Sequence, residues 1–369
     1  MGPPAEALIH YFNQMKLPRL LVSRAPLSPE DPKNHEFLEF RWGQMVSRRE
    51  VRTPCKPPLS FAFDTRDLMM FPKADLFIGL NPLASLRGVA LRRAGRVGKV
   101  LHWSIDYSPI RFPQKSIEWT YQTVDYWASS RCDIRVELTV EARDSRNCRH
   151  QGRQRSLIPA EIVPMGLWLD QYPKASRRGF DERRIAFVGH LVPRMGLELA
   201  IRGTKLLAEV GIAVQLDVVG RGPEFVRLAA LVRELGLQES VAFRGYLEGE
   251  QAVQNWLASA GIGIAPYLRS PGSITKFADP GKLKNYLCAG LPILMTDVPP
   301  NSRDLESAGV AVLMDETPEA FATGVEQVFG NPDEWVSRVK ASRLLAEEFD
   351  WNRLLGDLMI NVDGVLRGC

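Results

Sequence analysis

Short apolar runs along this chain alternate with longer segments whose apolar residues recur every three or four positions. Residues 5–15 carry Leu8, Ile9, Phe12 and Met15 at helical spacing and predict an amphipathic helix. A short strand follows at residues 19–23. Residues 35–52, with Phe37, Leu38, Phe40 and Trp42 among polar neighbours, read as a hairpin or edge pair. Apolar strands at residues 74–79, 99–105 and 133–138 alternate with helical stretches running through Ala94 and over 117–129, and residues 162–166 close the first half. The polar stretch 172–181, with a proline and a glycine, reads as a linker. Beyond it the pattern restarts with strands at 185–188, 215–219 and 241–243, separated by helices, and continues in that style to the end. Alternation of β and α in both halves predicts an α/β protein of two doubly wound Rossmann-like domains, with ligands in a central cleft where the carboxyl ends of the strands face each other. The expected boundaries are 1–173 for the first domain and 182–349 for the second, with a closing helix at 350–369 that packs back towards the first.

A length of 369 residues suits two domains, each with its own core. A hydrophobic content of 45% and a charged content of 24% fit a globular protein, with no apolar run long enough to span a membrane. The start (Met-Gly-Pro-Pro-Ala-Glu) lacks a charged-then-apolar leader, and the expectation is a cytoplasmic protein. Five scattered cysteines (Cys55, Cys132, Cys148, Cys288, Cys369) without paired spacing favour reduced thiols over disulfides or structural zinc. Cys148 and His150, two candidate ligands on a basic loop, do not make a metal site.

Charge changes the picture more than composition does. Residues 1–180 hold 28 Lys and Arg against 18 Asp and Glu, a balance of +10, while the remainder holds 19 against 25, a balance of −6. The positive charge clusters between Arg87 and Lys99 and again from Arg143 to Arg155. No nucleic-acid-binding motif accompanies it. An anionic membrane surface, a phosphate-linked substrate and a merely solvated helix face all remain open as its explanation.

The sharpest chemical signal lies at residues 279–286, Asp-Pro-Gly-Lys-Leu-Lys-Asn-Tyr, between a strand ending in Ala265-Pro266-Tyr267 and the turn at Gly290. A helix starting near Gly281 offers free N–H groups and a positive dipole end, which suits a diphosphate. Lys282 in its first turn adds a full charge, and Asn285 one turn later has the reach for a ribose hydroxyl. An ordinary βαβ unit with a surface lysine is the competing reading.

The series Phe187-Val188-Gly189-His190, Val219-Gly220-Arg221-Gly222-Pro223, Phe243-Arg244-Gly245-Tyr246, Ala265-Pro266-Tyr267, Lys282 to Tyr286 with Gly290-Leu291-Pro292, and Phe349-Asp350-Trp351 resembles the donor domain of GT-B glycosyltransferases of the group-1/family-4 type. The first half is similar, more loosely, to the acceptor domains of that superfamily, and some features resemble xanthan-type glucuronosyltransferases. The resemblance implies a glycosyltransferase that moves a hexosyl or uronosyl group from a nucleotide diphosphate sugar, a UDP-sugar favoured, to a lipid-linked or polysaccharide acceptor. It implies no cofactor and no metal, no nucleic-acid partner, and peripheral contact with the inner face of an anionic membrane. The diphosphate would lie over Gly189-His190 and Gly281-Lys282, supported by Arg194, with Lys282 stabilising the leaving group. The base would sit near Tyr246 and Leu247 with Tyr267 close by, and Asn285 would take the ribose. Packing at a strand end is the bland reading of the two tyrosines.

Asp106, at the carboxyl end of a strand, is the candidate base for the acceptor hydroxyl; a cap for the turn Asp-Tyr-Ser-Pro is the alternative. His102, within that strand, reads as core. The chain also departs from the family pattern. Phe277 and Asn285 stand where retaining members carry two glutamates, and Met195 replaces the usual basic residue before the first-loop glycine. Stereochemistry is therefore not inherited. The strand and glycine-rich loop expected ahead of residues 5–15 are missing from the sequence, which predicts a first sheet one strand short. These departures keep a catalytically silent binding subunit open, and a nucleotide-sugar epimerase is the other enzymatic reading.

Overall fold

A computed structural model describes residues 4–24, 34–53, 61–169, 177–269 and 274–367, and these divide into two compact units. Cys55 and Cys369 lie outside the described residues. One unit comprises residues 2–163 with 351–369, and the other residues 164–350. The division falls ahead of the linker stretch read from the sequence. Of that stretch, residues 177–181 form a short helix within the second unit, and 172–176 lie outside the described residues.

The unit built on residues 2–163 opens with helix α1 (Pro4–Gln14) and strand β1 (Leu20–Arg24). The hairpin β2 (Asn34–Arg41) and β3 (Gln44–Arg52) completes an antiparallel sheet of order β1-β2-β3. Helix α2 (Phe61–Leu68) leads to a run of β4 (Ala74–Gly79), α3 (Pro82–Arg93), β5 (Val97–Ser104), α4 (Lys115–Arg131), β6 (Ile134–Glu137), α5 (Val140–Arg149) and β7 (Ala160–Ile162). Its strands pair in parallel in chain order, β4-β5-β6-β7. Among the described residues no strand precedes α1. Asn81 caps α3 by accepting from the Ala84 N–H, and Thr139 caps α5 by accepting from Ala142, each satisfying a donor at a helix start. The basic segment taken from sequence as a loop at Cys148 and His150 is thus the end of a helix. Cys148 is exposed and His150 buried.

The second unit begins with α6 (Arg177–Asp181) and continues through β8 (Arg184–Val188), α7 (Leu197–Glu209), β9 (Gln215–Val219), α8 (Phe225–Glu234), β10 (Val241–Gly245) and α9 (Glu250–Leu257). Then follow β11 (Ile262–Ala265), α10 (Gly281–Ala289), β12 (Ile293–Thr296), α11 (Ser302–Ser307), β13 (Ala311–Met314), α12 (Pro318–Gly330) and α13 (Pro332–Ala346). The six strands are all parallel, in the order β10-β9-β8-β11-β12-β13. Burial on both faces explains their near-continuous apolar runs. The order reverses between β8 and β11, and that switch point is where an open α/β sheet leaves a crevice at its strand ends. The closing helix α14 (Trp351–Arg367) belongs to the other unit. There Trp351 meets Trp103 edge-on and Asn361 donates to Glu161.

Candidate functional site

A cavity of about 330 Å³ opens at the β8/β11 switch point of the second unit. Its wall brings together Gly189 after β8, Arg194, Tyr267 after β11, and Gly281, Lys282 and Asn285 from the start of α10. Six of the residues singled out from sequence therefore share one pocket. His190 is exposed and does not line it. Neither do Tyr246 or Leu247, and Tyr246 is 60% exposed with the Arg221 guanidinium 4.4 Å from its ring centroid. The strand-end packing considered for Tyr246 is not what the structure holds. Tyr267 is buried beside Lys282, away from the surface that Tyr246 occupies.

Lys282 is no surface lysine. It is 8% exposed, with Nζ 3.8 Å from the ring centroid of Phe187 and 5.1 Å from that of Tyr267, and 3.7 Å from Met195 Sδ. Burial and the nearby Arg194 guanidinium pull its pKa down to about 7. Aromatic faces hold the ammonium without supplying a counter-charge. An anion brought into this pocket meets a cation whose compensation is incomplete.

The backbone around the lysine is built for close approach. Gly189 has φ +149°, a conformation L side chains rarely adopt, and a Cβ there would stand 3.0 Å from Lys282 Nζ and crowd the ammonium. Arg194 sits in the one-turn helix 193–195, whose place is fixed by Leu268 N–H donating to the Arg194 carbonyl at 3.0 Å. Gly196 ends that turn at φ +67°, pressed so tightly on Pro266 that a Cβ would lie 1.7 Å from its carbonyl oxygen.

Helix α10 is held by two of its own side chains, Lys284 and Tyr286. Pro280 precedes it without a side-chain cap. Lys284, also buried, pairs with Asp279 at 3.0 Å, and Asp279 further accepts from Met165 N–H at 2.8 Å and Asn301 Nδ2 at 3.2 Å. Tyr286 donates to the Ile264 carbonyl at 3.0 Å and accepts from Val188 N–H at 3.2 Å, tying the helix to the ends of both switch-point strands. Its ring fills the space over Gly263. The motif Lys-Leu-Lys-Asn-Tyr thus divides its work: positions 282 and 285 face the pocket, and 283, 284 and 286 lock the helix in place. Reading from sequence missed Phe187, the platform under Lys282, and Thr275 in the turn Ile274–Lys276, which also lines the pocket. Phe187 carries no signal beyond that of a core strand.

Asp106 lies in the other unit, after β5. Its Oδ2 accepts from Arg111 Nη2 at 2.6 Å, its carbonyl from Arg111 Nη1 at 3.2 Å, and its side chain is 51% exposed. His102 is fully buried and hydrogen-bonded to Ser85 at 2.7 Å, with its pKa lowered to about 3 by burial and by Arg146. Below it lies a buried charge cluster in which Arg146 pairs with Asp125 at 2.9 Å and with Glu137, and donates to Ser104 at 2.6 Å. No three His, Cys, Asp or Glu gather as a metal site among the described residues.

Residues 182–331 match the family described as "Glycosyl transferases group 1". An uncharacterized glycosyltransferase of Methanocaldococcus jannaschii is 26% identical over 180 residues, 47% of this chain and 43% of that protein. The chain therefore spans less than half the length of this curated relative. Among solved structures, sucrose-phosphate synthase of Thermosynechococcus elongatus superposes with a TM-score of 0.67 at 16% identity, over 92% of this chain and 88% of that one. HepE of Anabaena, solved in complex with UDP, superposes with a TM-score of 0.66 at 14% identity, over 83% of this chain and 82% of that one. The α/β fold with parallel sheets is of the GT-B type.

Proposed function

We propose that this protein, whose residues 182–331 are a group 1 glycosyl transferase domain, transfers a glycosyl group from a nucleotide diphosphate sugar to a hydroxyl acceptor. The observation that carries the reading is the pocket at the β8/β11 switch point. It combines an uncapped helix start with a buried, under-compensated Lys282, Arg194 beside it and the side-chain-free Gly189. A diphosphate there gains backbone donors, a helix dipole and two cations in a site where burial strengthens each of them. As the bond from the anomeric carbon to the phosphate oxygen breaks, its electron pair passes to the diphosphate. Lys282 and Arg194 stabilise that charge, while the acceptor oxygen bonds to the anomeric carbon. Asn285 holds the ribose. A uridine donor is favoured by the family resemblance, and the UDP held by HepE is in keeping with it.

Asp106 takes the acceptor proton in this scheme. Its pairing with Arg111 orients the carboxylate and leaves half of it open to solvent. Replacing it by Asn is expected to lower kcat by roughly 10²–10⁴ with the fold intact. Unchanged turnover refutes the assignment. The acceptor is a lipid-linked or polysaccharide hydroxyl at an anionic membrane surface, the setting that suits the positive balance of residues 1–180.

Calorimetric titration with UDP, GDP and ADP tests the donor site. One nucleotide is expected to bind, with a loss on the order of tenfold or more in the Lys282→Ala variant. If none binds, the reading gives way to a binding subunit without transfer. Release of free nucleotide diphosphate from a bound donor separates the two.

A further inference from the structure

Among the described residues three that are not glycine take a positive φ, and two of them, Lys16 at +50° and Trp42 at +53°, come together at one end of the sheet β1-β2-β3. Trp42 and Gly43 are the two turn residues of the β2–β3 hairpin, closed by the pair Arg41 and Gln44. A two-residue hairpin with φ positive at both positions is the arrangement that Asn-Gly satisfies at least cost. Gly43, at φ +81°, meets that demand, and a Cβ there would lie 2.5 Å from the Asn13 carbonyl oxygen. A bulky tryptophan in the left-handed region is an outlier that its surroundings must hold in place. They do so through the backbone, where Trp42 N–H donates to the Leu17 carbonyl at 2.9 Å. The side chain gains little by burial, because Trp42 is 65% exposed. Neither packing nor backbone preference accounts for a tryptophan here. Its neighbours complete a patch. Met15, beside that contact, and Met45 and Val46, just past the turn, are exposed as well. Val46 has no partner in the β2–β3 register, where Phe40 faces Met45 and Glu39 faces Ser47, so a bulge sits directly behind the turn. Residues 16–24 and 34–52 hold seven Lys and Arg against three Glu.

We infer that this hairpin tip is a docking element for an anionic phospholipid surface, with Trp42 seated among the headgroups. The inference rests on the membrane setting proposed above for the acceptor, and it names the element that makes the contact. An indole is suited to headgroup depth, unbranched methionines adapt to an irregular surface, and the excess of basic residues complements anionic lipid. A protein strand is the poorer occupant. Every residue of β3 except Val51 is exposed, but Arg48, Arg49 and Arg52 stand along it. Basic side chains on a sheet edge discourage pairing with a further strand or a second copy. The strain at Trp42 then has a use: stability of the free chain is given up to present a ring that the fold itself does not need.

The test uses the full chain and its Trp42→Asn and Trp42→Phe variants, with sedimentation on vesicles of phosphatidylglycerol and phosphatidylcholine read beside Tm. Asn suits the left-handed position and lacks the ring. Trp42→Asn is therefore expected to raise Tm by about 2–4 °C while weakening vesicle binding on the order of tenfold. Trp42→Phe keeps an apolar ring and the unfavourable φ, and is expected to leave Tm where it was and to retain most of the binding. A gain in Tm with unchanged binding overturns the proposal and leaves the membrane setting to other surfaces of the unit. An unchanged or lowered Tm in Trp42→Asn overturns it too, because the ring then serves the fold. If the unsubstituted chain sediments with neither anionic nor neutral vesicles, the hairpin proposal and the membrane setting fail together. The donor pocket belongs to the other unit, and UDP binding is expected to be equal in all three proteins, so none of these outcomes touches the donor-site reading.

Discussion

Lys282 concentrates the chemistry of the proposed donor pocket in one titratable atom. Its folded pKa of about 7 lies below the ordinary value of 10.5, through burial first and Arg194 second. Between those two values the unfolded chain binds more protons than the folded one, so this residue makes stability rise with pH across that window. Below about pH 7 both states carry the proton, and the cost of burying the cation is fully present. Lys282→Met is expected to flatten that rise and to stabilise the protein at pH 6 by about 1–4 kcal/mol, read by urea unfolding. The same residue ties donor binding to proton uptake. A diphosphate beside Nζ favours the charged form, so UDP titrated at pH 8 is expected to draw in about one proton, measured as the dependence of binding enthalpy on buffer ionisation. The Met variant takes up none. Proton uptake equal in both proteins sinks the assignment of Lys282 to the diphosphate.

At the scale of elements, α10 shows what the sequence disclosed and what it hid. Lys282 and Asn285 stood out because a helix start after Asp-Pro-Gly is visible in the residue types alone, and the structure brings both to the pocket. Lys284 looked like its neighbour. Only the fold shows that it is buried against Asp279 and that its Nζ lies 3.7 Å from the Phe349 ring centroid, because the partner carboxylate is held by Met165 and Asn301 from distant parts of the chain. The pair makes a separate prediction. Asp279→Ala leaves a buried ammonium unpaired and is expected to cost about 3–5 kcal/mol, whereas Asp279→Ala with Lys284→Met recovers most of that loss in denaturant unfolding. No recovery would mean that the loss comes from Asp279's bonds to Met165 and Asn301 and not from the unpaired ammonium. Helix α5 was hidden for a related reason. Its sequence, Val-Glu-Ala-Arg-Asp-Ser-Arg-Asn-Cys-Arg, is so polar that periodicity is silent. The helix is anchored by Arg146, an arginine wholly buried between Asp125 and Glu137, and nothing in the local sequence distinguishes it from the half-buried Arg143 and the exposed Arg149. Glycine and strand-end motifs were legible because they reflect local backbone demands. The buried ion pairs were not, because each partner is supplied by another element.

At the scale of the whole molecule, charge and apolar exposure coincide in the half that does not hold the proposed donor pocket. Residues 1–180 carry the balance of +10, against −6 in the rest. Within the unit of residues 2–163 and 351–369, α4 leaves Ile117, Trp119 and Trp127 exposed, with Trp119 at 69% and the Arg131 guanidinium 5.6 Å from the Trp127 ring centroid. Tryptophan beside Lys and Arg is the composition of a surface that rests in lipid headgroups, where each basic residue contributes about 1 kcal/mol in an anionic leaflet. No described helix is long and apolar enough to cross a membrane. The full chain is therefore expected to co-sediment with vesicles of phosphatidylglycerol and phosphatidylcholine but not with phosphatidylcholine alone. Binding should weaken steeply as salt is raised from about 0.05 to 0.5 M, where the screening length falls below about 5 Å. Trp119→Ser is expected to weaken sedimentation with anionic vesicles while leaving UDP affinity unchanged, because Trp119 lies in the unit that does not hold the donor pocket. Equal binding to neutral vesicles, or salt-insensitive binding, would make the contact apolar rather than electrostatic, and no binding to either vesicle would reassign the positive balance to an acceptor's own phosphate and remove the membrane from the scheme.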